Sequence, residues 1–171
     1  MRIGIGLALA LLVWTPVACK KKSPAQAVEN KRIATVVEMG DPRAAGQLLS
    51  GFYDIEDNAW RWTGKQFVVE LGTPLGAAGR GATLALQFTV PPVVIETNGS
   101  VTVAASVDGN ALPPETFSTA GEHSYKRDVP ASILGGDSVK ASFDVDKPMQ
   151  PAGADQRVLG VIATSASLIR K

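Results

Sequence analysis

From Ile33 onward, apolar and polar residues alternate almost one for one. That is the period of a strand with one buried face, not of a helix. Ile33 to Glu38 is the first strand the pattern predicts, and Gln66 to Leu71 the next. Ala82 to Val90 is sharper, with Leu84, Leu86, Phe88 and Val90 on one face and Pro91-Pro92 as its stop. Asn98-Gly99 and Asp108-Gly109 read as tight turns, because Asn, Asp and Gly tolerate positive backbone angles. Between them Ser100 to Val107 aligns Val101, Val103, Ala105 and Val107. Ala111 to Phe117 carries Pro113-Pro114 and so belongs at a sheet edge or in a loop. Glu122 to Val129 and Ser138 to Val145 are further strands, separated by a break at Gly135-Gly136, and Arg157 to Ala163 is read as the closing strand. A single helix is expected over Arg43 to Ser50, with Asp41 as N-cap, Pro42 in the first turn and Gly51 as terminator. Roughly seven or eight short strands at this spacing predict an all-β domain, an antiparallel β-sandwich, with an open barrel as the alternative.

The amino terminus has a different pattern. Arg2 precedes an apolar run from Ile3 to Val13 that is broken only by glycine. It is short of the roughly 20 apolar residues a membrane-spanning helix needs, and it has the layout of a removable signal peptide. The run closes on Pro16-Val17-Ala18-Cys19, followed by Lys20, Lys21 and Lys22. This resembles the lipobox of bacterial lipoproteins, in which small residues precede a cysteine that is acylated and becomes the first residue of the mature chain; Pro16 stands where that family prefers Leu. The resemblance implies a signal peptide over 1–18, a lipidated tether over 19–30 and a β-sandwich domain over 31–171. It also implies export and attachment to the cell membrane or outer membrane through Cys19. Residues 23–30 are small, polar and aperiodic, as expected of a flexible tether. An uncleaved anchor, or ordinary cleavage nearby, would equally place the domain outside the cytoplasm.

Composition narrows the chemistry. The 171 residues suit one domain, and 17 basic against 16 acidic side chains leave a net charge of +1, which gives no sign of a nucleic-acid surface. With one cysteine and one histidine, His123, the chain builds no internal disulfide, no cysteine cluster and no multi-histidine zinc site. The Gly-x-Ser-x-Gly nucleophile motif is absent, and His123 reads as a surface residue. Asn98-Gly99-Ser100 matches a glycosylation acceptor formally, but behind a bacterial leader it reads as a turn. No cofactor or metal is expected, and the domain is read as non-catalytic. A hydrolase, which would need two carboxylates across a cleft, is the least favoured reading.

The densest chemistry lies between Gly51 and Gly64. Phe52, Tyr53, Trp60 and Trp62 gather there, in a domain otherwise built from Val, Ala and Leu. If residues 60–62 are extended, both indoles point to one face and Arg61 to the other. Exposed indoles stack on the apolar faces of sugar rings, and nearby carboxylates and guanidinium groups meet sugar hydroxyls. Tyr53, Trp60, Arg61 and Trp62 are therefore the candidate ligand-binding residues for an envelope glycan or another envelope component. Alternatively the indoles are core and Arg61 pairs with Glu56 or Asp57 on the rim, which would leave a structural or protein-interaction module. Asp54, Glu56 and Asp57 carry oxygen ligands for calcium, but without the spacing of an EF-hand they read better as a solvated acidic turn.

The succession Leu-Leu-Ser-Gly-Phe-Tyr (48–53), Trp-Arg-Trp-Thr (60–63), Leu-Pro-Pro-Glu-Thr (112–116) and Arg-Asp-Val-Pro (127–130) resembles uncharacterised bacterial β-sandwich domains, some attached to glycosyltransferases. The resemblance implies the sandwich fold and a loose link to envelope glycans. It carries no catalytic residue across.

Overall fold

The computed structural model describes residues 32–171; the leader, Cys19 and the tether read from the sequence lie outside them. The described part is an all-β antiparallel sandwich of nine strands: β1 (Val36–Glu38), β2 (Leu48–Glu56), β3 (Trp60–Gly72), β4 (Ala82–Val90), β5 (Val101–Val107), β6 (Asn110–Phe117), β7 (Gly121–Val129), β8 (Ser138–Val145) and β9 (Ile162–Arg170). Hydrogen bonding runs in the order β6-β5-β8-β3-β9-β4-β7, with β2 alongside β3 and β1 alongside β9.

The strand β3 makes one path into two layers. Its residues Gln66–Gly72 pair with β8, whereas Arg61 and Trp62 pair with β9. Opposite this change of partner, β2 pairs Ser50 with Val68 but Phe52 with Thr63, so four residues of β3, 64–67, stand against Gly51 alone where β3 turns from one layer to the other. The layers then face each other through aromatic rings. Phe88 of β4 meets Phe117 of β6 at 5.0 Å, and Tyr125 of β7 meets Phe143 of β8 at 6.3 Å, both edge to face. Odd-numbered residues of β3, β5 and β8 and even-numbered residues of β4 supply the core, as alternation requires.

Both long sides are sealed. On one, the Gly72 amide donates to Ala34 and the Leu168 amide to Thr35, so the segment leading into β1 bridges the layers. On the other, the Tyr125 hydroxyl and Arg127 Nε both donate to the Pro113 carbonyl, at 2.9 and 2.7 Å, and Arg127 pairs with Glu115 at 2.8 Å. Pro113 and Pro114 sit in β6 at the end of the strand path, where their missing N–H groups cost no ladder bond. The registers place Ala34, Gly72, Ala82, Val129 and Arg170 at one end of the sandwich and the β2–β3 turn at the other.

Four expectations are corrected. The helix expected over Arg43 to Ser50 is a single 3-10 turn, Pro42–Gly46, and Leu48 onward is strand. The Asp41 cap operates, accepting from the Arg43 amide at 2.9 Å, but Gln47 is drawn into bonds with the Ala34 and Glu70 carbonyls. Pairing with β3 then overrides local helical preference. It is not the only helical segment: α1 (Ala77–Arg80) and α2 (Pro92–Asn98) are short helices, and Ala131–Ile133 is a further 3-10 turn. Asn98-Gly99 ends α2 and is not a hairpin turn. Gly99 has the positive φ of 72° that the sequence suggests, but uses it as a helix cap, its amide donating to Ile95. The last strand is Ile162–Arg170, and the apolar run before it is loop. Leu159 and Val161 are buried there because residues 160–161 lie against Thr63.

Candidate functional site

The β2–β3 hairpin positions the aromatic residues. Its turn holds Asp57 and Asn58 at φ of 51° and 53°, a left-handed pair that short polar side chains tolerate, and so brings Glu56 opposite Trp60 and Ile55 opposite Arg61. Beyond Ile55 the register slips. Tyr53 and Asp54 together face the stretch around Trp62, and Phe52 faces Thr63. Thr63 is fully buried: its Oγ1 accepts from the Val161 amide at 3.0 Å, and the Gly160 amide donates to its carbonyl at 2.7 Å. Gly160 has to be glycine, since a Cβ there would stand 2.4 Å from the Gly64 carbonyl oxygen.

With Thr63 locked inward, alternation sends Trp60 and Trp62 to the outer face and Arg61 inward. The two indoles touch edge to face, with ring centres 6.3 Å apart at 86°. Each is half-buried, and neither belongs to the hydrophobic core. Trp62 lies beside Ile162 of β9 in the ladder.

Tyr53 and Arg61 have other work. Arg61 Nε donates to the Met39 carbonyl at 3.0 Å, and its Nη1 to the Tyr53 carbonyl at 2.8 Å. It ties β1 to the hairpin on the face opposite the indoles, and does not pair with Glu56 or Asp57. The Tyr53 hydroxyl donates to the Val158 carbonyl at 3.1 Å, and its ring lies under the Arg157 guanidinium, 5.3 Å from the ring centre.

Arg157 is the residue that sequence reasoning missed. It lies 101 positions from Glu56, in a segment whose pattern suggested strand, and no local signal links the two. Its Nη1 donates to Glu56 Oε1 at 2.8 Å, and its Nη2 to Asp155 Oδ2 at 2.8 Å, while its own amide donates to Asp155 Oδ1. One guanidinium thus clamps the β8–β9 loop onto β2. These hydrogen bonds from Arg157 hold the Asp155 carboxyl down to about 2, against a usual 3.8, and the same bonds raise the guanidinium. A carboxyl depressed on folding stabilises above its unfolded value, and that contribution is lost as pH falls through the folded value. Urea midpoints of the wild type and Arg157→Ala should therefore differ by a constant amount above about pH 5, and the difference should shrink from about pH 4 toward 2. A difference that is flat across that range would disprove the clamp.

Asp54, Glu56 and Asp57 do not converge. Among the described residues no three His, Cys, Asp or Glu side chains gather as for a metal ion. His123 sits at the side of the Phe88–Phe117 pair, its Nε2 2.8 Å from the Thr119 carbonyl. An open depression of about 400 Å³ lies elsewhere, at the β6–β7 seam, lined by Thr83, Pro113, Lys126, Arg127 and Asp128. Arg127 is already spent there on three backbone carbonyls and Glu115.

No protein-family model matches the chain, and no curated protein is similar to it in sequence. Solved structures with a similar course of chain include the CBM36-1 domain of a multidomain xylanase from the hindgut metagenome of Trinervitermes trinervoides. It is 9% identical with a TM-score of 0.44, over 78% of this chain and 94% of that one. A second, described as CBM4 structure and function, is 13% identical with a TM-score of 0.35, over 80% and 85% of the two chains. A third, CBM51-2 in complex with GlcNAc and INT domains from Clostridium perfringens ZmpB, is 15% identical with a TM-score of 0.34; the match covers 79% of this chain and 28% of that one. These TM-scores fall short of a shared fold in detail, so whatever this chain binds has to be read from its own side chains.

Proposed function

We propose that this chain is a non-catalytic envelope protein, held to a membrane through lipid on Cys19, whose sandwich binds a glycan on the outer face of the β2–β3 hairpin. One observation carries the reading: Trp60 and Trp62 stand side by side on an outward face, outside the hydrophobic core. Burying a large aromatic is favourable, and a small β domain has a core to offer it. Two adjacent indoles at the surface, set edge to face, make an angled aromatic corner in which one ring face can stack on a sugar and the other ring flanks it. The hairpin beneath them is stiffened by Arg61, Thr63 and Arg157, so the platform is ordered before any ligand arrives. It also lies at the end of the sandwich opposite Ala34 and Arg170.

The test is fluorescence of the full chain carrying Trp14→Phe, so that only Trp60 and Trp62 report. Acrylamide is expected to quench both readily, and one polysaccharide of an envelope panel should protect them. Trp60→Ala and Trp62→Ala should each weaken that binding about tenfold, roughly 1.4 kcal/mol, while the urea midpoint stays nearly unchanged. Blue-shifted emission that resists acrylamide and ignores every polysaccharide would sink the reading. It would favour a protein-interaction module, for which β2 offers an edge paired only to β3, with Leu49 44% exposed.

A further inference from the structure

The chemistry around the indoles states which glycans this face can take, an inference that rests on the glycan-binding reading above. Proteins that hold acidic sugars need a free guanidinium or ammonium to meet the carboxylate or sulfate, most effectively an arginine fork. The hairpin has two arginines within reach, and both are committed. Arg61 alternates to the far side of β3 and donates to two backbone carbonyls. Arg157 is shared between Glu56 and Asp155 and stacked on Tyr53. Lys65, the remaining cation of β3, is exposed past Gly64, where β3 turns away into the other layer.

What remains on the rim of the platform is negative. Glu56 lies opposite Trp60 in the ladder, and Asp54 lies in the register slip beside Trp62. Asp57 is exposed at the turn, and among the described residues neither Asp54 nor Asp57 makes a side-chain hydrogen bond or ion pair. Arg157 offsets one charge of Glu56 and Asp155 together. Charge–charge interactions decay over about 8 Å at physiological ionic strength, so a polyanion stacked on the indoles would feel these carboxylates.

We propose that the Trp60–Trp62 face selects neutral or amino-bearing glycans and turns away polyanionic ones, with Asp54 and Asp57 as the specificity-determining residues. A neutral chain loses nothing to the rim, because hydroxyls donate well to carboxylates. A protonated amino sugar gains from it.

The experiment is calorimetric titration of the full chain in neutral detergent with a chelator present, at about 20 mM salt, where charge–charge interactions decay over some 20 Å. The probes are mixed-linkage β-glucan, starch and laminarin as neutral chains, chitosan as the cationic one, and carboxymethylcellulose, polygalacturonate and hyaluronate as anionic ones. Binding by a neutral chain or chitosan, with every anionic chain at least tenfold weaker, is the expected result. The bound polysaccharide, oxidised at C6 to carboxylate, should also lose at least tenfold, and Asp54→Asn/Asp57→Asn should recover part of that loss. Both replacements are close in shape, and Asn tolerates the left-handed backbone at position 57. An anionic chain bound as tightly as any neutral one, or a double variant that leaves the oxidised chain as weak as before, would overturn the selectivity and leave the glycan platform standing. Binding to none of the seven would overturn both.

Discussion

Gly51→Ala is expected to cost about 4 kcal/mol or more, a large share of the roughly 5–15 kcal/mol by which native domains are stable. Gly51 sits in β2 where the ladder slips past the bend of β3. Its φ is +75°, and a Cβ built there would stand 1.9 Å from the Gln66 carbonyl oxygen and 2.7 Å from the Phe67 Cα. Both neighbours are backbone inside a paired strand, so neither can swing aside. The left-handed conformation alone would cost an alanine only about 1–2 kcal/mol. Gly76 separates the two contributions, since its φ is +81° but nothing lies within 4 Å of the Cβ position. Urea denaturation should show Gly76→Ala shifted by that smaller amount and Gly51→Ala by the larger one. Equal effects would mean that the bulge tolerates a side chain and does not set the bend.

Phe67→Ala is the second large effect, at about 3–5 kcal/mol, the usual range for emptying a buried aromatic site. Phe67 is fully buried at the bend itself. It stacks on Phe143 at 5.0 Å and 13°, and meets the edge of Phe52 at 5.3 Å. The ring thus fills the corner between β2, β3 and β8. The midpoint in urea should fall with little change in slope, because the exposed area on unfolding is nearly the same. A loss below about 1.5 kcal/mol would mean that the corner repacks.

Both sites show where sequence reading reaches its limit. Alternation identified Ala82–Val90, Ser138–Val145 and the core face of β5 with their observed bounds or nearly so, because each has its apolar residues at strict two-residue spacing. It found only Gln66–Leu71 of β3, since the residues from Trp60 to Lys65 change layers midway and break the period. Gly51 read as a helix stop because a positive-φ glycine serves a helix end or a bulge equally well. The outward placement of Trp60 and Trp62 relative to Arg61 follows from any extended chain. Whether a second layer would cover them did not follow, and neither did the identity of the group that Arg61 would meet.

By itself the sequence determined the all-β class, the inward face of most strands and the gathering of aromatics before Gly64, because these depend on nearest neighbours along the chain. The tertiary structure decided how β3 joins two layers, that Arg157 and not Arg61 pairs with Glu56, and that Asp54 and Asp57 are left without partners. Those outcomes depend on groups up to 101 residues apart meeting within 3 Å, and pairing over such distances is set by packing that leaves no local trace in the chain.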